Sequence, residues 1–196
     1  KRTYSVATVV DGPYDRGNVS AIIRTAEALG FQAMHVIETE EDFKEANRVT
    51  QGADKWLDIS TWRSHGPCIQ ELRRRGYRIC ATHLESSKPI DEVDFSVPTA
   101  VVFGNEQDGV SEAMLDAADE RCLIPIDGFT QSFNISVAAA LTLYHIRRFR
   151  RDELGRHGDL TEREAEILRA SYYLRAVRRP DRLVPNLLAR HRDTDA

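Results

Sequence analysis

The chain has 196 residues, 41% of them hydrophobic and 30% charged, enough for one sizeable core with an appendage. Its net charge is −4, but residues 147–196 carry +4 against −8 for the rest, so the overall sign argues only weakly against a nucleic-acid partner. No apolar run approaches the roughly 20 residues of a membrane helix, and no secretory leader is visible.

Strand-like and helix-like segments alternate along the chain. YSVATVV (4–10) is a β-branched strand. NVSAIIRTAEALG (18–30) has helical spacing, with Ile22, Ile23, Ala26 and Leu29 on one side and Gly30 at its end. AMHVIE (33–38) is a second strand, 41–50 a helix, and WLDIS (56–60) a short strand. CIQELRRRG (68–76) is a helix closed by Gly76, and RICATH (78–83) and TAVVFG (99–104) are strands. SEAMLDAAD (111–119) is a helix, RCLIPI (121–126) a strand, and SFNISVAAALTLYHIRRF (132–149) a long helix. The alternation predicts an α/β fold with a mostly parallel sheet buried on both faces. A helical extension follows at 159–177, where Thr161 and Glu164 fit a capping box and Ala165, Leu168, Tyr172 and Leu174 or Ala176 form a docking stripe. The tail after Pro180 is charged and expected to be loosely ordered. The predicted organisation is a domain over 1–150 and an extension over 151–196.

Cys68, Cys80 and Cys122 form no C-x-x-C pair, which suits reduced thiols in the cytoplasm. The histidines have no ligand spacing, so no metal is expected. The chain opens on Lys1 rather than Met, and a trimmed N-terminus is the expectation. Of the 27 basic residues 23 are arginine, whose planar fork suits phosphate. Arg73 to Arg75, Arg147 to Arg151 and Arg178-Arg179 are candidate phosphate contacts, each weighed against a plain solvated face.

Three places carry chemistry. The first is GPYDRGNVS (12–20), which has the glycine spacing of a phosphate loop but Asn18 and Val19 where Lys and Ser or Thr belong. Asn18 is a candidate helix cap, and Arg24 interrupts an otherwise apolar turn near a strand's carboxyl end, where α/β folds bind ligands. The second is VVFGNEQDGVS (101–111), where Gly104 needs a reason to be glycine, such as close approach of a ligand to the backbone. The third is IPIDGFTQSFNISVAAALTLY (124–144), where Gln131, Ser132 and Asn134 lead into a helix apolar almost all round. Such a helix belongs in a core or a dimer interface. Ser132 is its candidate cap, and with Asn134 it offers hydroxyl and amide groups to a polar ligand.

Read together, N18-VSAII-R24, F103-GNEQDG and I124-PIDGFTQSFNISVA resemble the three motifs of the SPOUT superfamily of RNA methyltransferases, in its TrmH-type 2′-O-ribose branch. The resemblance spans about residues 6 to 149. It implies an α/β fold with a C-terminal deep trefoil knot, a homodimer, and transfer of methyl from S-adenosyl-L-methionine (SAM) to a ribose 2′-hydroxyl. Cofactor contacts then fall on Thr82, His83, Leu84, Phe103, Gly104, Ile124, Ile126, Ser132, Phe133 and Asn134. Catalysis falls on Arg24, with Asn18 positioning it or the ribose–phosphate, Glu106 holding the loop or Asn134, and Ser132 and Asn134 completing the site. The basic C-terminal helix resembles tRNA enzymes that methylate guanosine 18 of the D-loop, with Asn18, Arg24, Arg147, Arg148, Arg178 and Arg179 toward the tRNA. A ribosomal RNA substrate and a non-catalytic RNA-binding protein on the same fold are the alternatives, and a P-loop hydrolase is disfavoured by Asn18.

Overall fold

The computed structural model describes residues 1–38, 52–177, 179–181 and 185. The helix expected at 41–50, Arg178 and most of the tail after Pro180 lie outside the described residues.

Seven strands, β1 (Thr3–Asp11), β2 (Phe31–Ile37), β3 (Asp58–Trp62), β4 (Arg78–Thr82), β5 (Lys88–Pro89), β6 (Thr99–Phe103) and β7 (Glu120–Leu123), form one sheet in the order β3-β2-β1-β6-β4-β7-β5. Every strand pairing is parallel, as the alternation of elements predicts. β5 has no apolar run to announce it. β7 stops at Leu123, short of the expected residue 126; Pro125 has no N–H to extend the ladder.

Among the described residues the helices that cover the strands or follow them are α1 (Arg16–Leu29), α2 (His65–Arg74), α3 (Glu112–Asp116), α4 (Ile135–Leu154) and α5 (Glu162–Ala176). On one face Ile22, Ile23 and Ala26 of α1 and Ala139, Leu143 and Ile146 of α4 pack on Val6, Val10, Met34 and Val101. On the other, Cys68 and Leu72 of α2 and Met114 of α3 pack on Ala7, Val9, Ile79 and Val102. Each large side chain so buried contributes about 1.5–3 kcal/mol. The three cysteines are free and buried. α1 closes at Gly30, as its sequence predicts: φ is +86°, and a Cβ there would stand 2.7 Å from the Lys1 carbonyl oxygen. Among the described residues no helix is long and apolar enough to cross a membrane.

The chain divides into compact units at Leu160/Thr161, past the position 150 read from sequence. The cause is a return of residues 155–160 to the start of β1. There the Asp159 carboxylate accepts hydrogen bonds from the Thr3 hydroxyl, the Tyr4 and Ser5 amides (both 3.2 Å) and Arg150 Nη2 (3.1 Å). Arg150 is 2% exposed and also donates to the Phe95 carbonyl at 3.2 Å. It is therefore a buried strut and not part of a phosphate-binding surface. Burial pushes the Asp159 carboxyl up, but hydrogen bonds from Ser5, Thr3 and Tyr4 outweigh it and hold the group below the usual carboxylate range. In the second unit Thr161 and Glu164 form the predicted capping box at the start of α5.

Two buried imidazoles sit in the first unit. His157 packs edge-on against Phe31 with ring centroids 4.9 Å apart; burial, and then Arg150 and Arg147, lower its pKa from 6.5 to about 4. His35 is lowered to about 4 by burial and then by Arg75, and its Nδ1 accepts from Trp62 Nε1 at 3.0 Å.

Asp159→Ala leaves Arg150 buried without its counter-charge and is expected to cost about 3–5 kcal/mol, read as a fall in urea midpoint. Because both imidazoles have folded pKa values below 6.5, the unfolded chain binds more protons between 6.5 and 4. Their contribution is complete above 6.5 and is lost as pH falls through that window. Urea midpoints are expected to fall steadily across it, and those of His157→Gln to fall less steeply.

Candidate active site

Strand order sets β6 beside β1, so the loops leaving their carboxyl ends are neighbours. Asp15, rather than Asn18, caps α1: its backbone is extended and its carboxylate accepts from the Gly17 amide at 2.7 Å. A negative charge at a helix N-terminus is favourable. Asn18 is thereby released from capping, and its Nδ2 donates to Glu106 Oε1 at 2.6 Å. Glu106 therefore holds the first motif, not Asn134. Asn134 in turn caps α4 in place of Ser132. Its Oδ1 accepts from the Ser136 amide (2.9 Å) and hydroxyl (2.6 Å) and the Val137 amide (3.4 Å). Ser132 lies ahead of the cap, exposed, its carbonyl accepting from the Thr130 hydroxyl at 3.2 Å.

Gly104 is glycine because the chain's own backbone occupies its Cβ position. A Cβ would stand 1.9 Å from the Gly109 carbonyl carbon and 2.1 Å from the Val110 nitrogen. The loop between them closes on itself: the Asn105 amide donates to the Gly109 carbonyl at 2.9 Å, and Asn105 Oδ1 accepts from the Gln107 (2.8 Å) and Asp108 (2.7 Å) amides. The loop is a small, internally bonded turn with Glu106 near its tip, and its own backbone gives Gly104 a reason to be glycine apart from a ligand's approach.

The proposed cofactor residues gather at adjacent strand ends. Register pairs Ala81 with Val102 and Thr82 with Cys122, so Thr82 and Phe103 end their strands side by side. The Thr82 hydroxyl donates to the Val102 carbonyl (2.9 Å) and the His83 amide to the Cys122 carbonyl (3.0 Å). Phe103 is 1% exposed, its side chain part of the core. Ile124, Ile126 and Phe133 are half-buried, while Leu84 and Phe129 stand exposed. Backbone polar groups beside exposed apolar side chains fit a ligand with a flat apolar body and a hydrogen-bonding edge.

Arg24 sits elsewhere. It is exposed in an open groove between α1 and α4, lined also by Ala21, Thr25, Ala28, Trp56, Ala140 and Tyr144. It makes no hydrogen bond or ion pair among the described residues. Ala140 and Tyr144 of this groove lie about 9 and 15 Å along α4 from Asn134, and among the described residues Arg24 makes no hydrogen bond with Ser132 or Asn134. Tyr144 was not singled out from sequence, although its place in an apolar helix marked that helix as unusual. The basic runs also separate. Arg73 pairs with Asp119 at 2.5 Å, while Arg74 (2.7 Å) and Arg75 (2.6 Å) clamp Glu71 and hold its carboxyl near 2; these charges are spent within the fold. Arg148 is exposed with a loose carboxylate partner at 3.7 Å, exposed Arg179 forks onto both Asp181 oxygens at 3.3 and 3.1 Å, and Arg147 makes no ion pair among the described residues.

A family model described as the SpoU rRNA Methylase family matches residues 5–144. The chain belongs to that family. It is similar to the tRNA (guanosine(18)-2′-O)-methyltransferase of Escherichia coli strain K12, 37% identical over 137 residues, which make up 69% of this chain and 59% of that protein. The chain thus spans under two thirds of that relative's length. Among solved SpoU structures, the Aquifex aeolicus TrmH/SpoU tRNA modifying enzyme superposes with a TM-score of 0.79 at 33% identity, covering 91% of this chain and 92% of that one. The SpoU methyltransferase AviRb of Streptomyces viridochromogenes, solved in complex with the cofactor AdoMet, superposes at 0.68 with 29% identity, covering 78% and 63%.

Within this SpoU fold, Gly104→Ala must open the neck of the Glu106 loop. It is expected to destabilise by about 2–4 kcal/mol, seen in chemical denaturation, whereas Gly128→Ala, whose Cβ meets nothing within 4 Å, is expected to stay near wild type.

Proposed function

We propose that the chain transfers methyl from SAM to the 2′-oxygen of an RNA ribose, with guanosine 18 of the tRNA D-loop as the preferred acceptor. The observation that carries the reading is the Asn18–Glu106 bond at the strand ends, on the same helix as a guanidinium without a partner among the described residues. The tRNA acceptor follows the names of the relatives.

Bound SAM supplies a methyl group on a positively charged sulfur, an electrophile that needs no metal. The backbone of Thr82 to Leu84, Phe103-Gly104 and Ile124 to Ile126, with Ser132 to Asn134, would hold it. The ribose 2′-hydroxyl is a weak nucleophile that sheds its proton as it attacks. Arg24 stays protonated in a protein. In this reading its fork stabilises the developing alkoxide and grips the neighbouring phosphate. Asn18, oriented by Glu106, positions the ribose–phosphate. Arg147, Arg148, Arg178 and Arg179, with the extension over residues 151–196, bind tRNA phosphates.

A second copy of the chain completes the site. Val137, Leu141 and Tyr144, spaced to share one face of α4, are 45%, 44% and 51% exposed, an apolar stripe beside Arg24. A homodimer covering it brings the Arg24 of one protomer toward the strand-end loops of its partner. The insertion of β6 between β1 and β4, and of β7 between β4 and β5, supports the trefoil knot: late strands enter between earlier ones.

The test is transfer of labelled methyl from SAM to unmodified tRNA transcripts, with ribosomal RNA in parallel and the modified position mapped by mass spectrometry. Label on the 2′-oxygen of D-loop guanosine is expected; label on ribosomal RNA alone replaces the substrate. Arg24→Ala is expected to lose about a hundredfold or more in kcat while SAM binding, read by calorimetry, stays intact.

A further inference from the structure

Asp11, the last residue of β1, is a carboxylate only 1% exposed. A buried carboxylate needs its lone pairs filled. One oxygen, Oδ1, lies 2.8 Å from His65 Nε2 at the start of α2; the other, Oδ2, accepts from the Ser111 amide at 2.8 Å. One side chain thus ties together the loops after β1, β3 and β6. Ser111 is where the Glu106 loop leaves its neck, and Tyr14, from the loop that Asp11 opens, donates to Asp108 at 3.3 Å on the loop's far side. Because the loop closes internally through Asn105 and Gly109, it moves as a unit: a shift at Ser111 carries Glu106, and with it Asn18.

We infer that Asp11 and His65 are positioning residues for methyl transfer, setting the Glu106 loop so that Asn18 meets the ribose–phosphate. This rests on the proposed function. His65 holds the carboxylate from a side chain 22% exposed, so it can be changed with little loss of core. The carboxylate touches neither the strand-end residues assigned to the cofactor nor Arg24, so the pair acts on the acceptor side of the reaction.

The experiment compares His65→Ala, His65→Gln and Asp11→Ala with wild type. It reads kcat, the KM values for SAM and tRNA, and hydrogen exchange of peptides covering residues 104–114. Displacing a positioned group by a fraction of an ångström lowers kcat steeply, so His65→Ala is expected to lose about tenfold in kcat with KM for SAM unchanged. His65→Gln, which restores an N–H toward Asp11, is expected to recover most of it. Exchange at Ser111 rises in both alanine variants and not in His65→Gln. Wild-type kcat in His65→Ala overturns the inference, as does a His65→Gln as impaired as His65→Ala, which would mean the imidazole itself is used. Unchanged loop exchange in both alanine variants overturns it whether or not the chain is active. A wild type that methylates no RNA, with loop exchange responding as expected, removes the proposed function and the catalytic part of the inference with it, leaving a brace.

Discussion

A parallel sheet with helices on both faces leaves its chemistry one place to go. Its central strands β1, β2 and β6 are buried almost throughout, because neither face there meets water. Polar side chains that can act on a ligand are confined to strand ends and the loops beyond them. Here the carboxyl ends of β1, β6, β4 and β7 follow one another across the sheet, and the three motifs follow β1, β6 and β7. The buried sheet fixes the spacing of the loops, and the loops only decorate it. A crossover connection of this kind also places each helix N-terminus at the same edge, which is why Asp15, Ser111 and Asn134 all serve as caps there.

The same burial forces charge to be resolved locally. Asp11, Arg150 and Asp159 are nearly or half removed from water, and each is held by several partners from distant parts of the chain. Breaking such a group costs far more than a surface pair, because the remaining charge has no solvent to turn to. These contacts join segments far apart in sequence, Thr3 with Asp159 and Asp11 with Ser111. They close the first unit where apolar contact alone would allow slippage. Surface arginines such as those on Glu71 carry no comparable weight.

Most of the strands and helices were legible because period and punctuation agreed: β-branched runs, a 3.6-residue apolar stripe, and Gly30 at the close of α1. Boundaries failed where one residue's backbone chemistry overrode the pattern. Pro125 ended β7 inside an apolar run, and β5 formed from Lys88-Pro89 with no pattern at all. The caps were displaced for a related reason. Asp15 and Asn134 lie at the turn where the backbone is extended or nearly so, and several candidate polar residues stood within three positions of each. The pairing of Asn18 with Glu106 was not legible, since it joins residues 88 apart and depends on β6 entering beside β1. Gly104 showed a constraint without its cause: sequence revealed that space was short but not that the occupant was residues 109–110 of the same chain.

Two features of the first unit make sense together on the proposed reading. Arg24 is a charge without a partner among the described residues, in an open groove between α1 and α4. Beside it α4 exposes Val137, Leu141 and Tyr144, although its inner face already satisfies the core through Ala139, Leu143 and Ile146. A monomer would gain from polar residues at those outer positions. In the proposed dimer, a protomer docking on the stripe would remove its apolar surface from water and bring strand-end loops to the guanidinium in one event. In that arrangement the aliphatic stem of Arg24 would add to the covered surface while its fork stays in water, free for an anion such as a phosphate of the RNA.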